Sequence, residues 1–224
     1  MVDVIHIHED AWGMRNLYPA SVRDEVDEDL YKAAMAEEKN RAPSGIGYTD
    51  IYVAKSPSEN YSTHALSLEA VGIALNPIFP RVREFNATTY SAMVGTERDA
   101  FGSYETDAWC FGIGADCFVK IDANGDFVKD IWFDLTTDDP DTAILLRKAI
   151  IEIDKLVPSI IADYYLNFLG SASQGSELDR YFDTLAEQHL QSKRAYLEYQ
   201  ERQIQTATAP GFFRKLASRF GLLR

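Results

Sequence analysis

Two histidines near the start of the chain have the spacing that most directly suggests chemistry. His6 and His8 are separated by one residue, and the segment continues into Glu9 and Asp10. Side chains two residues apart on a β-strand point to the same face, so both imidazoles would lie together. Imidazoles with a neighbouring carboxylate form a ligand set for a divalent metal ion. His6, His8 and Asp10 are therefore a candidate metal site.

The segment from His6 to Asp10 resembles the first strand of amidohydrolase and PHP-type metal hydrolases. This resemblance covers five residues and implies a metal-dependent hydrolase. Those families use several further histidines, and the chain has two more, His64 and His189. The alternative is an edge strand with outward polar side chains.

Other catalytic signatures are missing from the sequence. Residues 122–126, DANGD, place a glycine too early for an EF-hand, and position 12 of that loop would be Phe133. A hairpin turn at Asn124-Gly125 explains these residues better. The chain contains no nucleophile elbow, phosphate loop or dinucleotide fingerprint. The sequence therefore favours a protein without catalytic chemistry or a cofactor.

The loop at residues 12–19 has the composition of a binding surface. Trp12, Arg15 and Tyr18 are of the types enriched at binding hot spots. The alternative is that Trp12 and Tyr18 pack the following helix onto a sheet. That helix begins with an acidic face, which we also consider as a partner-binding candidate: Asp24, Glu25, Asp27 and Glu28.

The last segment, residues 209–224, is predicted to form a basic amphipathic helix. Its basic side chains are opposite an apolar face made of Phe212, Phe213, Leu216 and Phe220. Such a helix can dock on its own chain or on a second copy, bind a partner groove, or lie on a membrane. We favour the first of these, and we do not expect membrane contact.

The charge of the chain limits its partners. The net charge is −13, and the four basic residues after Ala209 leave 18 basic and 35 acidic residues in the remainder. A body this acidic repels nucleic acids and anionic lipids and attracts a basic protein. The alternative is that the charge only maintains solubility. No apolar run spans a bilayer and no secretory signal is recognisable, so we expect a cytoplasmic protein with Cys110 and Cys117 reduced and buried.

Periodicity and turn residues predict the elements of the first half. We expect a strand at residues 2–8, a loop at 10–20, a helix at 22–40 capped by Ser21, a strand at 48–54, and a short helix capped by Ser67 that ends at residue 75. Residues 81–94 have weak strand character.

The second half predicts an antiparallel meander followed by helices. Three strands occupy about residues 109–135. A helix capped by Asp139 should be apolar on most sides and form the buried centre, and after Pro158 helix should continue over 160–169. A long helix should then run from residue 176 to about 205. We predict an α+β fold, with an antiparallel sheet packed against long C-terminal helices, in a single domain over 1–208 followed by the helix at 209–224.

The chain is also similar in character to bacterial immunity proteins of contact-dependent and type VI systems. The segments that prompt this comparison are Trp132-Phe133-Asp134-Leu135 and residues 157–164, VPSIIADY. The resemblance implies a non-catalytic inhibitor whose acidic face occludes a basic toxin or effector. A homo-oligomer held by the last helix is the third alternative.

Overall fold

The computed structural model describes residues 3–42, 49–50 and 52–208, with side chains up to residue 200. The chain divides into two compact units, Met1–Thr184 and Leu185–Arg224. The predicted domain boundary after residue 208 stays a prediction.

A seven-stranded antiparallel sheet forms the centre of the first unit. Its strand order is β10-β9-β2-β8-β7-β6-β3. The strands are β2 (Arg15–Pro19), β3 (Arg81–Val82), β6 (Trp109–Gly114), β7 (Cys117–Asn124), β8 (Phe127–Leu135), β9 (Ser159–Asp163) and β10 (Phe168–Ser171). The antiparallel sheet and the helices beside it confirm the predicted α+β class.

A smaller three-stranded sheet has the order β1-β4-β5. Its strands are β1 (Val4–His8), β4 (Glu84–Thr88) and β5 (Ser103–Glu105), with β1 parallel to β4 and β4 antiparallel to β5. Strand β1 alternates as its sequence predicts, because Ile5 and Ile7 are buried and His6 and His8 are partly exposed. The apolar side chains of this sheet share one core cluster with Phe118 and Trp132 of the large sheet.

The predicted meander is present as β6, β7 and β8, but its turn differs by one residue. Asn124 pairs with Phe127, so Gly125 and Asp126 are the central residues of the hairpin turn. Gly125 has φ +62°, and it is the central residue with a positive φ. Glycine at the first central position avoids the steric cost of that conformation, whereas the type I′ turn predicted at Asn124-Gly125 would need two such residues.

Five helices are described: α1 (Arg23–Asn40), α2 (Leu68–Leu75), α3 (Tyr90–Met93), α4 (Pro140–Leu156) and α5 (Ser176–Thr208). Ser67 caps α2 by accepting from the Ala70 amide, and Asp139 caps α4 by accepting from the Thr142 amide, as predicted. Ser21 does not cap α1, because a 3-10 turn comes first and the cap position is Val22. Helix α4 buries one face only, since Ile144 is 61% exposed, so the predicted buried centre is wrong.

Three further predictions are wrong, the first two because pairing between distant segments decides the structure. The predicted loop at 10–20 contains strand β2, which lies between β8 and β9. Residues 160–169 form parts of β9 and β10 instead of a helix. A short apolar run fits a buried strand or a buried helix equally well, and every residue of β9 is buried. The predicted strand at 48–54 is absent at residues 52–54, and residues 48 and 51 lie outside the described part.

Candidate functional site

A polar pocket of about 220 Å³ lies beside the first turns of α1. It is lined by α1, by the segment at residues 55–57, by Tyr18 of β2 and by Tyr164, which follows β9. The pocket brings together three of the partner-binding candidates, Tyr18, Glu25 and Glu28. It adds Asp29, the last residue of the acidic run, and two lysines that the sequence analysis did not identify, Lys32 and Lys55.

Asp29 is the centre of the hydrogen bonds in this pocket. It is buried on the same side of α1 as Val26 and Leu30, whereas Glu28 and Lys32 are exposed. One carboxylate oxygen accepts from the Tyr52 hydroxyl at 2.7 Å and from the Lys55 amide at 3.2 Å, and the other accepts from the Tyr164 hydroxyl at 2.8 Å. One helical carboxylate therefore fixes both the segment at 52–55 and the end of β9.

The hydroxyl groups around Asp29 are held in the neutral form. The hydrogen bond to Asp29 raises the pKa of Tyr52 to about 12. Burial is the main cause that raises the pKa of Tyr18 to about 12, and burial followed by the Tyr18 hydroxyl raises that of Tyr164 further. Tyr52 and Tyr164 donate to Asp29, and none of the three phenols is poised to act as a base near neutral pH.

The acidic face of α1 divides into carboxylates that hold the chain and carboxylates that face solvent. Glu25 accepts from the Ser58 amide at 2.8 Å and from the Ser58 hydroxyl, and these bonds lower the pKa of Glu25. Glu28 is paired with Lys32 one turn later, which lowers the pKa of Glu28. Asp24 and Asp27 are exposed. The outer part of the face is exposed to solvent, and the inner part anchors the loop at 52–58.

Arg15, a predicted partner-binding residue, is inside the protein. It is 5% exposed, its Nε donates to Asp163 at 3.0 Å, and its Nη1 donates to Asp134. Tyr181 of α5 donates to the same oxygen of Asp163 at 3.0 Å, and the Tyr165 ring lies 4.9 Å from the guanidinium carbon. We call Arg15, Asp134, Asp163 and Tyr181 the buried ionic cluster.

Burial and charge act against each other in the buried ionic cluster. Burial alone would lower the pKa of Arg15, but Asp134 and Asp163 raise it, so the guanidinium stays charged. Burial raises the pKa of Asp134 despite the pairing with Arg15. The cluster joins β2, β8, β9 and α5, which gives it a role in holding the fold. Its sequence signal was weak: Asp163 is a charged residue at the end of an otherwise apolar run.

Trp12 is also a packing residue. Its ring lies 5.7 Å from that of Phe85 and 5.2 Å from that of Trp132, against the core shared by the two sheets. Trp12 therefore packs against the core shared by the two sheets, whereas the packing alternative placed it between the helix and a sheet. Of the three loop candidates, Tyr18 alone reaches the pocket.

The two early histidines each have a partner within the chain. His6 Nε2 and the Thr88 hydroxyl are 2.6 Å apart, and His8 Nδ1 accepts from the Asp10 amide at 3.2 Å. His8 Nδ1 is also 3.5 Å from the Asp10 carboxylate. Within residues 3–42, 49–50 and 52–208, no three histidine, cysteine, aspartate or glutamate side chains come together as a metal-binding group.

A second buried cation was not found from the sequence. Lys120 of β7 is 1% exposed, and its ammonium group lies 2.8 Å from Asp122 and 3.0 Å from Glu105 of β5. These carboxylates raise the pKa of Lys120 against the effect of burial. Cys110 is opposite Lys120 on the neighbouring strand, and burial raises the pKa of both Cys110 and Cys117 to about 12, so these thiols are poor nucleophiles.

The apolar residues of the predicted last helix, Phe212, Phe213, Leu216 and Phe220, lie outside the described residues. None of the described helices is both long enough and apolar enough to span a membrane. Comparisons of this chain with protein-family models, with curated proteins and with solved structures find no match.

Proposed function

We propose that this chain is a protein-binding module without catalytic chemistry, an inhibitor or immunity-type protein that occludes a basic partner through the acidic face of α1. The observation that supports it is the acidic start of α1, where five of six consecutive positions from Asp24 to Asp29 are acidic. The partner is a protein with a basic or cationic site, such as a toxin or effector.

The arrangement of hydrogen bonds supports a binding role for this face. Glu25 and Asp29 tie the loop at 52–58 to α1, so the surface around the pocket is ordered before a partner arrives. Binding to an ordered surface avoids part of the entropy cost of association. Asp24 and Asp27, on the first turns of α1, remain exposed.

The net charge adds a long-range attraction. With 35 acidic and 22 basic residues, the chain attracts a cationic protein over distances comparable to the Debye length, roughly 8 Å at physiological salt. Rim charges act mainly on the association rate and on its salt dependence. The proposed function therefore predicts fast, salt-sensitive binding.

Neutralising the exposed carboxylates of Asp24 and Asp27 tests this function. The product of the adjacent open reading frame is the first partner to purify, and its binding to the Asp24→Asn, Asp27→Asn variant is compared with the native chain by biosensor kinetics at several salt concentrations. We expect an association rate about 3- to 10-fold lower at low salt, corresponding to about 0.7–1.4 kcal/mol. The difference should shrink at high salt.

The matched control removes two exposed charges elsewhere. The Glu38→Gln, Glu69→Gln variant changes the net charge equally at the other end of α1 and on α2. Equal effects of the two variants would show attraction by net charge alone and would contradict an acidic binding face. Elemental analysis of the same protein tests the alternative, a metal-dependent hydrolase that uses His6 and His8. Zinc, manganese or iron bound at one ion per chain in the native protein, and lost in the His6→Ala, His8→Ala variant, would support that alternative instead.

A further inference from the structure

The second unit of the chain presents apolar side chains to solvent along a helix. From Leu185 to Thr208 it continues α5. Leu190 is 49% exposed and Leu197 is 52% exposed, and Tyr196 and Tyr199 are more exposed still. Large apolar side chains repeated on one exposed helix are typical of a surface that another helix covers.

The charge of this helical segment differs from that of the rest of the chain. Residues 185–208 contain three acidic and three basic residues, whereas the whole chain has a net charge of −13. Two copies of the acidic body would repel each other, but two copies of this neutral segment would not. The charge therefore favours a second copy of the same segment as the occupant of the apolar stripe.

The spacing of the stripe suits helix pairing. Leu190, Leu197 and position 204, an isoleucine in the sequence, are separated by seven residues each. These three positions supply one of the two seam positions of a heptad repeat, which keeps them facing the same partner helix. The segment of 24 residues provides about three such repeats, a short but sufficient length when the helix is already formed by the fold.

The order of charges along the stripe selects the orientation. Lys193 precedes Leu197 by four residues, and position 201, a glutamate in the sequence, follows it by four. In a parallel pair, Lys193 would lie opposite Lys193. In an antiparallel pair centred on Leu197, Lys193 lies opposite position 201, and Leu190 lies opposite position 204. The segment is therefore self-complementary in the antiparallel orientation.

We propose that two copies of this chain associate through residues 185–208 of α5, packed antiparallel with Leu197 at the twofold axis. A twofold interface uses the same patch on both copies, which is what a self-complementary stripe provides. The segment shares no residue with the acidic face of α1, so the pair would carry two acidic faces. The inference does not depend on the proposed function.

Mass measurement in solution tests the association. Light scattering behind size-exclusion chromatography of the full chain should give twice the mass of one chain, which is 25.2 kDa. The Leu190→Gln, Leu197→Gln variant keeps good helix formers and should give the mass of one chain. The control variant Tyr31→Gln, Met35→Gln removes an exposed apolar pair from α1 and should keep the doubled mass. A native chain that elutes with the mass of one chain, 25.2 kDa, would overturn the proposal.

Disulfide crosslinking tests the orientation and remains informative if the double variant fails to fold. Cysteines can bridge when their Cα atoms lie within about 7 Å. In the antiparallel pair Leu197→Cys crosslinks to its own copy, whereas Leu190→Cys lies roughly 21 Å from its copy, 14 helical rises away, and does not. Native Cys110 and Cys117 are buried and should not interfere. Crosslinking at both positions would indicate a parallel pair, and crosslinking at neither would indicate no pair; both outcomes contradict the proposal.

Discussion

Among the substitutions considered below, Arg15→Met is expected to lower the free energy of unfolding most. Arg15 pairs with Asp134 and Asp163, which are 4% and 0% exposed. Without the guanidinium, two carboxylates remain inside the sheet with no cation beside them. Breaking a buried ion pair by removing one partner costs about 3–5 kcal/mol. Because domains are stable by roughly 5–15 kcal/mol, we expect Arg15→Met to lose a large part of the free energy of unfolding.

The matched comparison is Lys120→Met, which removes the other buried cation described above. Lys120 is itself 1% exposed, but its partners Glu105 and Asp122 are 32% and 30% exposed. Their carboxylates can be rehydrated when the ammonium group is lost, and methionine fills most of the space. We therefore expect Lys120→Met to cost about 1 kcal/mol, well below Arg15→Met.

Urea unfolding followed by tryptophan fluorescence measures both variants at neutral pH and in acid. Burial already raises the pKa of Asp134 above its unfolded value. A carboxyl with a raised folded pKa contributes stability when it is protonated and loses that contribution as pH rises through the folded pKa. The loss in free energy of unfolding of Arg15→Met relative to the native chain should therefore become smaller as pH falls. A loss no larger than that of Lys120→Met, or a deficit unchanged in acid, would refute the reasoning.

Two predictions concern the pocket beside α1. Asp29→Asn should cost about 2 kcal/mol, because a carboxylate that accepts from Tyr52, Tyr164 and the Lys55 amide loses its charge, and hydrogen exchange at the Lys55 amide should accelerate. The exposed neighbour provides the control, since Asp27→Asn should change stability by less than about 0.5 kcal/mol; equal effects would contradict a role specific to Asp29. The pKa of Tyr18 is raised from 10 to about 12, so its neutral form contributes stability that is present below pH 10 and is lost as pH rises towards 12. In the Tyr18→Phe variant the urea midpoint should fall less steeply between pH 10 and 12. The same fall as in the native chain would show that the pKa of Tyr18 is not raised.

Local signals in the sequence were enough for the elements that are stabilised locally. The meander, the cap of α2 by Ser67 and the cap of α4 by Asp139 follow from turn and capping chemistry within a few residues. The alternation of β1 was also readable, because one of its faces is buried and the other is not. These features depend on neighbours in the chain, which a single sequence contains.

The candidate site was predicted only in part. The acidic start of α1 was evident as a charge pattern, but the sequence did not distinguish Asp29, which holds the fold, from Asp24 and Asp27, which face solvent. Arg15 and Trp12 had the composition of a binding loop, yet the fold buries the first and packs the second on the core. Residue type indicates what a side chain can do, whereas burial decides whether it is accessible.

The sequence by itself determined the α+β class, the acidic charge, the meander and the caps of α2 and α4, because each depends on composition or on short-range spacing. The tertiary structure decided that 15–19 and 159–163 are neighbouring strands and that Arg15 meets two distant carboxylates. The physical reason is that strand pairing joins backbone groups far apart in the chain. An apolar run such as β9 can satisfy its backbone hydrogen bonds either within a helix or by pairing with other strands. The presence of partner strands decides which of the two forms.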